Sequence, residues 1–411
     1  MRADADQCSM SPETGAQVER FYEQHPYPPP IDDVDAYRRS WDEARRRADA
    51  HLFWPGEPYR GDRTILVAGC GTSQAAHYAV RWPNARVVGI DVSETSVAFT
   101  RELKRKHGLD NLTVHRLEVE RADELGETFD HVVCTGVLHH LPDPDAGLRA
   151  LARVLTPTGA LHAMVYAPYG RAGVYMLQDY CRRAGVGWSE PDVRDLATTL
   201  RALPQDHPIV PLLRTSPDFA SVASLADALL HPCDRAYSVP QVLAFVEGAG
   251  LAFGRWVRQA PYLASCGAIA AAPHGERLRA LAPAEQYAAM ELFRGTMVRH
   301  AVVAYRGGAS AERAIDFAGD RWPDYVPIRL PGTVVVRENL PAGAAAVLIN
   351  RNHSFTDLYL PVGDGEERMF AAVDGERTIA AIAATHGDRD AARDLFARLY
   401  DWDQVVFDVS R

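Results

Sequence analysis

The chain has 411 residues, 47% hydrophobic and 24% charged, which excludes large-scale disorder and suits two domains better than one. A formal net charge of −10 excludes a general binder of nucleic acid backbones or of anionic membrane. The first residues lack the basic start and apolar core of a secretory signal, and no stretch approaches the roughly 20 apolar residues that span a bilayer, so a cytoplasmic protein is expected.

Residues 16 to 54 read as helical segments broken by the elbow His25-Pro26-Tyr27-Pro28-Pro29-Pro30, because three consecutive prolines cannot sit inside a helix. Strands and helices then alternate. Thr64–Ala68 reads as a buried strand, 74–82 as a helix, 86–90 as a strand and 92–107 as a helix. Strands follow at 112–117, 131–135 and 160–166, with a helix over 147–155. Nearly all-apolar strands alternating with helices imply an α/β domain: a Rossmann-like, mostly parallel sheet covered on both faces. After Tyr166 the alternation stops, and 168–236 reads as a helical insertion behind the fifth strand. A helix capped by Ser238 resumes the pattern, followed by strand-like runs at 253–259 and 266–271. His274-Gly275 reads as a boundary. Beyond it lie a helix at 283–293, a strand at 298–305, short apolar runs over 332–361, and helices ending in the strand-like 404–409. The expected division is a helical lid segment over 1–60, a main domain over 61–272, and a smaller α+β domain over 276–411. Cys8, Cys70, Cys134, Cys181, Cys233 and Cys266 are widely spaced, with no C-x-x-C pair. That argues against a disulfide framework or a zinc ribbon, and no metal is expected.

The strongest local signal is Ile65-Leu66-Val67-Ala68-Gly69-Cys70-Gly71-Thr72-Ser73-Gln74: a buried strand, a tight glycine turn, then a helix start. Gly69 and Gly71 let a ligand approach the backbone, and the helix start offers unpaired N–H groups and a positive dipole end. The second strand ends at Asp91, twenty positions after Gly71. A carboxylate there accepts the hydroxyls of a ribose. Gln74 stands where a dinucleotide site prefers a third glycine, which disfavours NAD and FAD.

These phrases, with G-I-D-V-S at 89–93, F-D-H-V-V-C-T-G-V-L-H-H-L-P-D-P at 129–144 and L-T-P-T-G at 155–159, resemble the ordered motifs of class I methyltransferases. The resemblance covers 62–166 and extends towards 272. It implies S-adenosylmethionine as cofactor. It places the loop Gly69, Cys70 and Gly71 against the methionine part, with Gln74 at its edge, Asp91 on the ribose and Val92 beside the adenine. Glu118 and Val119 would sit near the adenine amino group, and Thr135 would line the sulfonium. Two positions depart from the family pattern. Val67 stands where it usually has an acid, and Ser73 where it often has glycine.

Methyl transfer is an in-line displacement, so the protein mainly aligns the nucleophile and excludes water, with a base where the nucleophile carries a proton. His139 and His140 follow the fourth strand, where ligands bind in open parallel sheets. They read either as a base and a substrate ligand or as packing residues at a helix start. Tyr166, Tyr169 and Arg171 follow the fifth strand and read as the substrate border or as core packing, Tyr166 being the second candidate for the base. The aromatic elbow around Tyr22 and Tyr27 resembles a lid over the cofactor. In the insertion, H-P-C-D-R-A-Y at 231–237 offers Asp234 and Arg235 for substrate recognition or for an ordinary helix cap.

The segment 360–411 weakly resembles small winged-helix units of the peptide-binding kind. Residues 351–411 hold seven Arg and no Lys against twelve acids, the wrong sign for DNA. A homodimer contact, a protein or peptide partner, or a purely structural role suits it better. The expected function is methyl transfer to a small molecule, such as a secondary metabolite, or to a peptide. The other reading is a non-catalytic, methyltransferase-like protein that binds cofactor or partner and regulates.

Overall fold

The computed structural model describes residues 12–216, 219, 221–307 and 315–410, so Cys8 lies outside the described residues. They fall into two compact units. One is drawn from the chain up to Ser40, Asp62–Leu251 and Gly295–Arg306; the other from Trp41–Gly61, Ala252–Arg294 and the chain from Gly307 onward.

The first unit is built on β1 (Thr64–Ala68), β2 (Arg86–Asp91), β3 (Leu112–Arg116), β4 (Phe129–Thr135) and β5 (Leu155–Tyr166). β6 (Leu251–Trp256) begins at this unit's last residue in the stretch up to Leu251, and β7 is Arg299–Arg306. The seven strands run in the order β3-β2-β1-β4-β5-β7-β6. β1 to β5 pair in parallel, as their apolar runs require, and β7 pairs antiparallel with β5 from Ala160↔Tyr305 to Tyr166↔Arg299. The helix Gln74–Arg81 follows β1, and Glu94–His107 follows β2. The latter is capped by the Ser93 side chain and ends at Gly108 in the left-handed region.

Two expectations fail at the far edge of the sheet. The run at 266–271 is not a strand: Gly267 has φ of +83° and Ala268–Ala271 form a short 3₁₀ turn. The strand expected in the C-terminal domain instead joins the first unit as β7. Its nearly continuous apolar run fits a buried antiparallel strand of the main sheet, between β5 and β6, as well as it would a strand of a separate domain, so the letters alone did not assign it.

The insertion is helical, at Ala172–Arg183, Glu190–Thr199, Val210–Thr215 and Val222–Leu230. Its core of Val174, Leu177, Val193, Leu196, Ile209, Leu225 and Leu229 also receives Phe21 from the helix Pro12–Gln24. The N-terminal segment up to Ser40 belongs to this unit, whereas 41–61 belongs to the other, so the expected 1–60 segment is divided.

The second unit contains β8 (Val326–Arg329), β9 (Thr333–Val336), β10 (Ala346–Asn350), β11 (Tyr359–Val362) and β12 (Val405–Asp408). β9, β10 and β11 form one antiparallel sheet; β12 pairs with β8 instead. The helices Asp364–Ala371, Ile379–His386 and Arg389–Asp401 come in the expected order and bury Phe370, Ile382, Leu395 and Phe396 with Phe407. Arg255 and the Ala260 N–H, each 2.9 Å away, bind the two carboxylate oxygens of Asp403. Asp401, last in its helix, is less well served. Burial and then the neighbouring Asp403 push its carboxyl up to about 6.

A carboxyl that holds its proton more tightly in the fold than in the open chain weakens the fold once pH exceeds the ordinary carboxyl range. Asp401→Asn is therefore expected to raise stability at neutral pH by about 1–3 kcal/mol. The gain should shrink as pH falls from about 6 and vanish below about 4. Urea denaturation at neutral and acid pH measures this, and no gain at neutral pH would contradict it.

Candidate active site

The turn after β1 is set by two glycines. Gly69 has φ of +69° and Gly71 of +53°, a region costly to any residue with a side chain. The end of β2 fixes the turn. One Asp91 carboxylate oxygen accepts the Gly71 N–H at 2.8 Å, and the other accepts the Ser93 N–H at 3.0 Å. Asp91 is buried, and burial pushes its carboxyl up while the backbone donors pull it back. Each oxygen keeps a second lone pair for a hydroxyl donor. The Thr100 hydroxyl donates to Gly71 O at 2.9 Å, and the Gln74 side-chain amide donates to the Thr135 hydroxyl at 2.6 Å, joining the helix start to the end of β4. Val92 is half-buried, Glu118 exposed and Val119 buried at the end of β3. Cys70 is fully buried, and burial followed by Asp91 raises its thiol, so it is not a nucleophile.

The elbow lies directly on this turn. A Cβ on Gly71 would stand 2.5 Å from Tyr27 O and 2.9 Å from Pro28 Cδ, and the Thr72 hydroxyl donates to Pro28 O at 2.7 Å. The Glu23 carboxylate accepts from the Thr95 backbone and hydroxyl. Phe21 packs against His231 at 4.9 Å between ring centroids, and His25 Nε2 lies 2.6 Å from Trp188 O. One short segment thus grips the glycine turn, the region after β2 and the insertion.

Beside the ends of β4 and β5 lies a buried polar cluster. His139 and His140 occupy a short turn, Leu138–His140, with ring centroids 4.1 Å apart. Tyr166 stacks 4.0 Å from His139, and the Arg171 guanidinium lies 3.6 Å over the Tyr166 ring. Arg171 is 3.7 Å from Asp234, whose Oδ2 also accepts from Gln178. His231 faces His140 at 3.9 Å. The Tyr22 hydroxyl donates to Asp227 at 3.1 Å, bringing the N-terminal helix into the same cluster. Burial, and then His140, hold His139 and His231 well below the usual histidine range. His139 Nδ1 and Nε2, His140 Nε2, His231 Nε2 and Asp234 Oδ1 are buried without a hydrogen-bond partner.

Of the residues expected here, His139, His140, Tyr166, Arg171, Asp234 and Tyr22 are brought together. Tyr169 is not: it is exposed. Arg235 turns away, donating to Leu141 O and Pro142 O to hold the loop after the histidines. Asp227 was missed. Its signal is a single acid inside the otherwise apolar helix V-A-S-L-A-D-A-L-L. Cys70, Cys134, Cys181 and Cys266 are free, but Cys233 is disulfide-bonded, against the expectation of unpaired cysteines.

A parallel sheet with a glycine turn after its first strand, a carboxylate ending its second and polar groups at the ends of its fourth and fifth defines a class I nucleotide-cofactor fold. A family model described as a methyltransferase domain matches residues 66–161. The chain carries a class I, S-adenosylmethionine-dependent methyltransferase domain. It is 32% identical over 248 residues to an uncharacterised protein of Synechococcus sp., covering 57% of this chain and 58% of that one. It is 28% identical over 145 residues to a ubiquinone biosynthesis O-methyltransferase of Pseudomonas entomophila, covering 35% and 56%. The chain therefore spans little more than half the length of these curated relatives. The fold resembles that of PKMT2 from Rickettsia typhi in complex with AdoHcy, with a TM-score of 0.61 and 14% identity over 91% of this chain and 74% of that one. Among the described residues, no helix is long and apolar enough to cross a membrane.

Gly71→Ala should force the Tyr27–Pro28 backbone off the turn. A loss of about 1–3 kcal/mol in stability is expected by thermal denaturation, from the clash and from the left-handed backbone together. An unchanged melting temperature would show that the elbow does not rest on the turn.

Proposed function

We propose that the protein transfers a methyl group from S-adenosylmethionine to a small molecule or a peptide held against the buried polar cluster. The observation that carries the reading is the buried Asp91 carboxylate, locked to the glycine turn with lone pairs to spare. The residues present suit the cofactor. Asp91 would hold the ribose hydroxyls, Gly69 to Gly71 would lie against the methionine part, Val92 and Val119 would border the adenine with Glu118 at its rim, and Thr135 would line the sulfonium. With Val67 fully buried in β1, the cofactor's amino group would be met by a backbone carbonyl. When bound, S-adenosylmethionine supplies an electrophilic methyl group.

The remaining work falls to the chain itself. The N-terminal segment closes over the turn and excludes water, which an in-line displacement requires. His139, His140 and Tyr166 stand where a proton of the nucleophile would be taken up. The Arg171–Asp234 pair, held by Gln178, stiffens the wall that faces them. The insertion supplies Asp227, His231 and Asp234, which supports a role for it in substrate choice.

Calorimetric titration with S-adenosylmethionine and S-adenosylhomocysteine is expected to show micromolar binding, with none for NAD. Asp91→Ala should weaken both by about 2–3 kcal/mol, roughly 30- to 150-fold, by removing a charged acceptor. No binding by the wild-type protein would favour the non-catalytic reading. Unchanged affinity in the variant would remove Asp91 from the ribose.

A further inference from the structure

Cys233 fixes two imidazoles through its own backbone. Its carbonyl oxygen only accepts, so His140 Nδ1, 2.7 Å away, carries hydrogen and donates. Its N–H only donates, so His231 Nδ1, 3.0 Å away, is bare and accepts. A neutral imidazole has one ring hydrogen, so the two rings are opposite tautomers. His140 Nε2 is a free lone pair. His231 Nε2 is a free N–H. Both are buried without a partner; the ring centroids are 3.9 Å apart, and a ring nitrogen of each lies within 4.8 Å of one on the other.

A buried donor and a buried acceptor left unmade are each costly. Side by side they describe the group that would relieve them: one that donates a hydrogen and accepts one. A divalent cation does not meet the description. His140, Asp227 and His231 have ligand atoms within 4.8 Å of one another, yet a cation needs bare nitrogens and would meet the His231 N–H.

We propose that His140 Nε2 and His231 Nε2–H together hold a neutral hydroxyl of the substrate, that His140 is the general base, and that the methylated atom is oxygen. This rests on the methyltransferase reading above. Counting lone pairs separates oxygen from nitrogen. A hydroxyl oxygen accepts from His231 with one lone pair and keeps the other for attack. A neutral amine has a single lone pair, which His231 would occupy. An ammonium has none and would point hydrogen at the His231 N–H. In the balanced step, the hydroxyl oxygen bonds to the methyl carbon, the carbon–sulfur bond breaks with its electron pair returning to sulfur, and the hydroxyl proton passes to His140 Nε2. The His140 Nδ1–H bond to Cys233 O then steadies the imidazolium. Asp227, paired with Tyr22, lies close enough to favour that charge. His139 has no such clamp on either nitrogen and is the lesser candidate for the base.

Nitrogen-15 NMR of the whole protein with labelled histidine tests the pair without any substrate. His140→Gln and His231→Gln assign the signals. The expected spectrum at about pH 7.5 has His140 Nε2 in the unprotonated range and His231 Nε2 in the protonated range; two rings of the same tautomer would overturn the proposal. S-adenosylmethionine labelled in its methyl carbon is then incubated with the protein and a metabolite extract. The label is expected on oxygen, read from its carbon chemical shift, and label on nitrogen or carbon sinks the proposal. His140→Gln should slow transfer about 100-fold or more and remove the fall in rate on the acid side. A retained acid limb in that variant would move the base elsewhere. Failure of the wild-type protein to transfer label or to bind S-adenosylhomocysteine would count against the methyltransferase reading, and the nitrogen spectrum alone would then decide the donor–acceptor pair.

Discussion

The grip of Asp91 on the Gly71 N–H is the contact on which the rest of the site depends. It joins the end of β2 to the turn after β1, twenty residues earlier in the chain. Both strands end there because the sheet is parallel and their carboxyl ends share one edge. Without the second oxygen on Ser93, the carboxylate would be free to swing; with it, both oxygens are aimed. The turn then becomes a floor on which the Tyr27–Pro28 backbone rests, and that backbone carries Phe21 and Tyr22 into the insertion. A local hydrogen bond therefore sets the position of the N-terminal segment.

The polar cluster is the complementary half. Burying three histidines, two aspartates, an arginine and tyrosines together is costly unless they satisfy one another or await a ligand. Part of the set is paired: Arg171 lies 3.7 Å from Asp234 and over Tyr166, and Tyr22 bonds Asp227. Buried atoms without a hydrogen-bond partner remain on Arg171 and Asp234 and on the three imidazoles. Cys233 divides His140 and His231 into an acceptor and a donor, a distinction in hydrogen position that no list of residue types contains. The second unit shows the contrast. There Asp403 satisfies its carboxylate with Arg255 and a backbone N–H, as a structural network does.

The sequence by itself determined β1 to β5, the glycine turn, Asp91 and the helical insertion. All rest on local cues: apolar runs bounded by glycine, a cap residue, a fixed spacing within one β-α-β unit. It also pointed to His139, His140, Tyr166, Arg171 and Asp234, because ligands gather at the ends of the fourth and fifth strands. Tertiary structure decided what depends on distant pairing. β7 extends the main sheet by pairing with β5, although more than a hundred residues separate them. Asp227 and His231 enter the site only when the insertion folds back, and Arg235 and Tyr169 leave it for the same reason. Local pattern fixes which elements form, since propensity and periodicity act over a few residues. The hydrogen-bond partners of His140 and His231 and the seat of the N-terminal segment are set by contacts across the chain, where only packing brings donor and acceptor together.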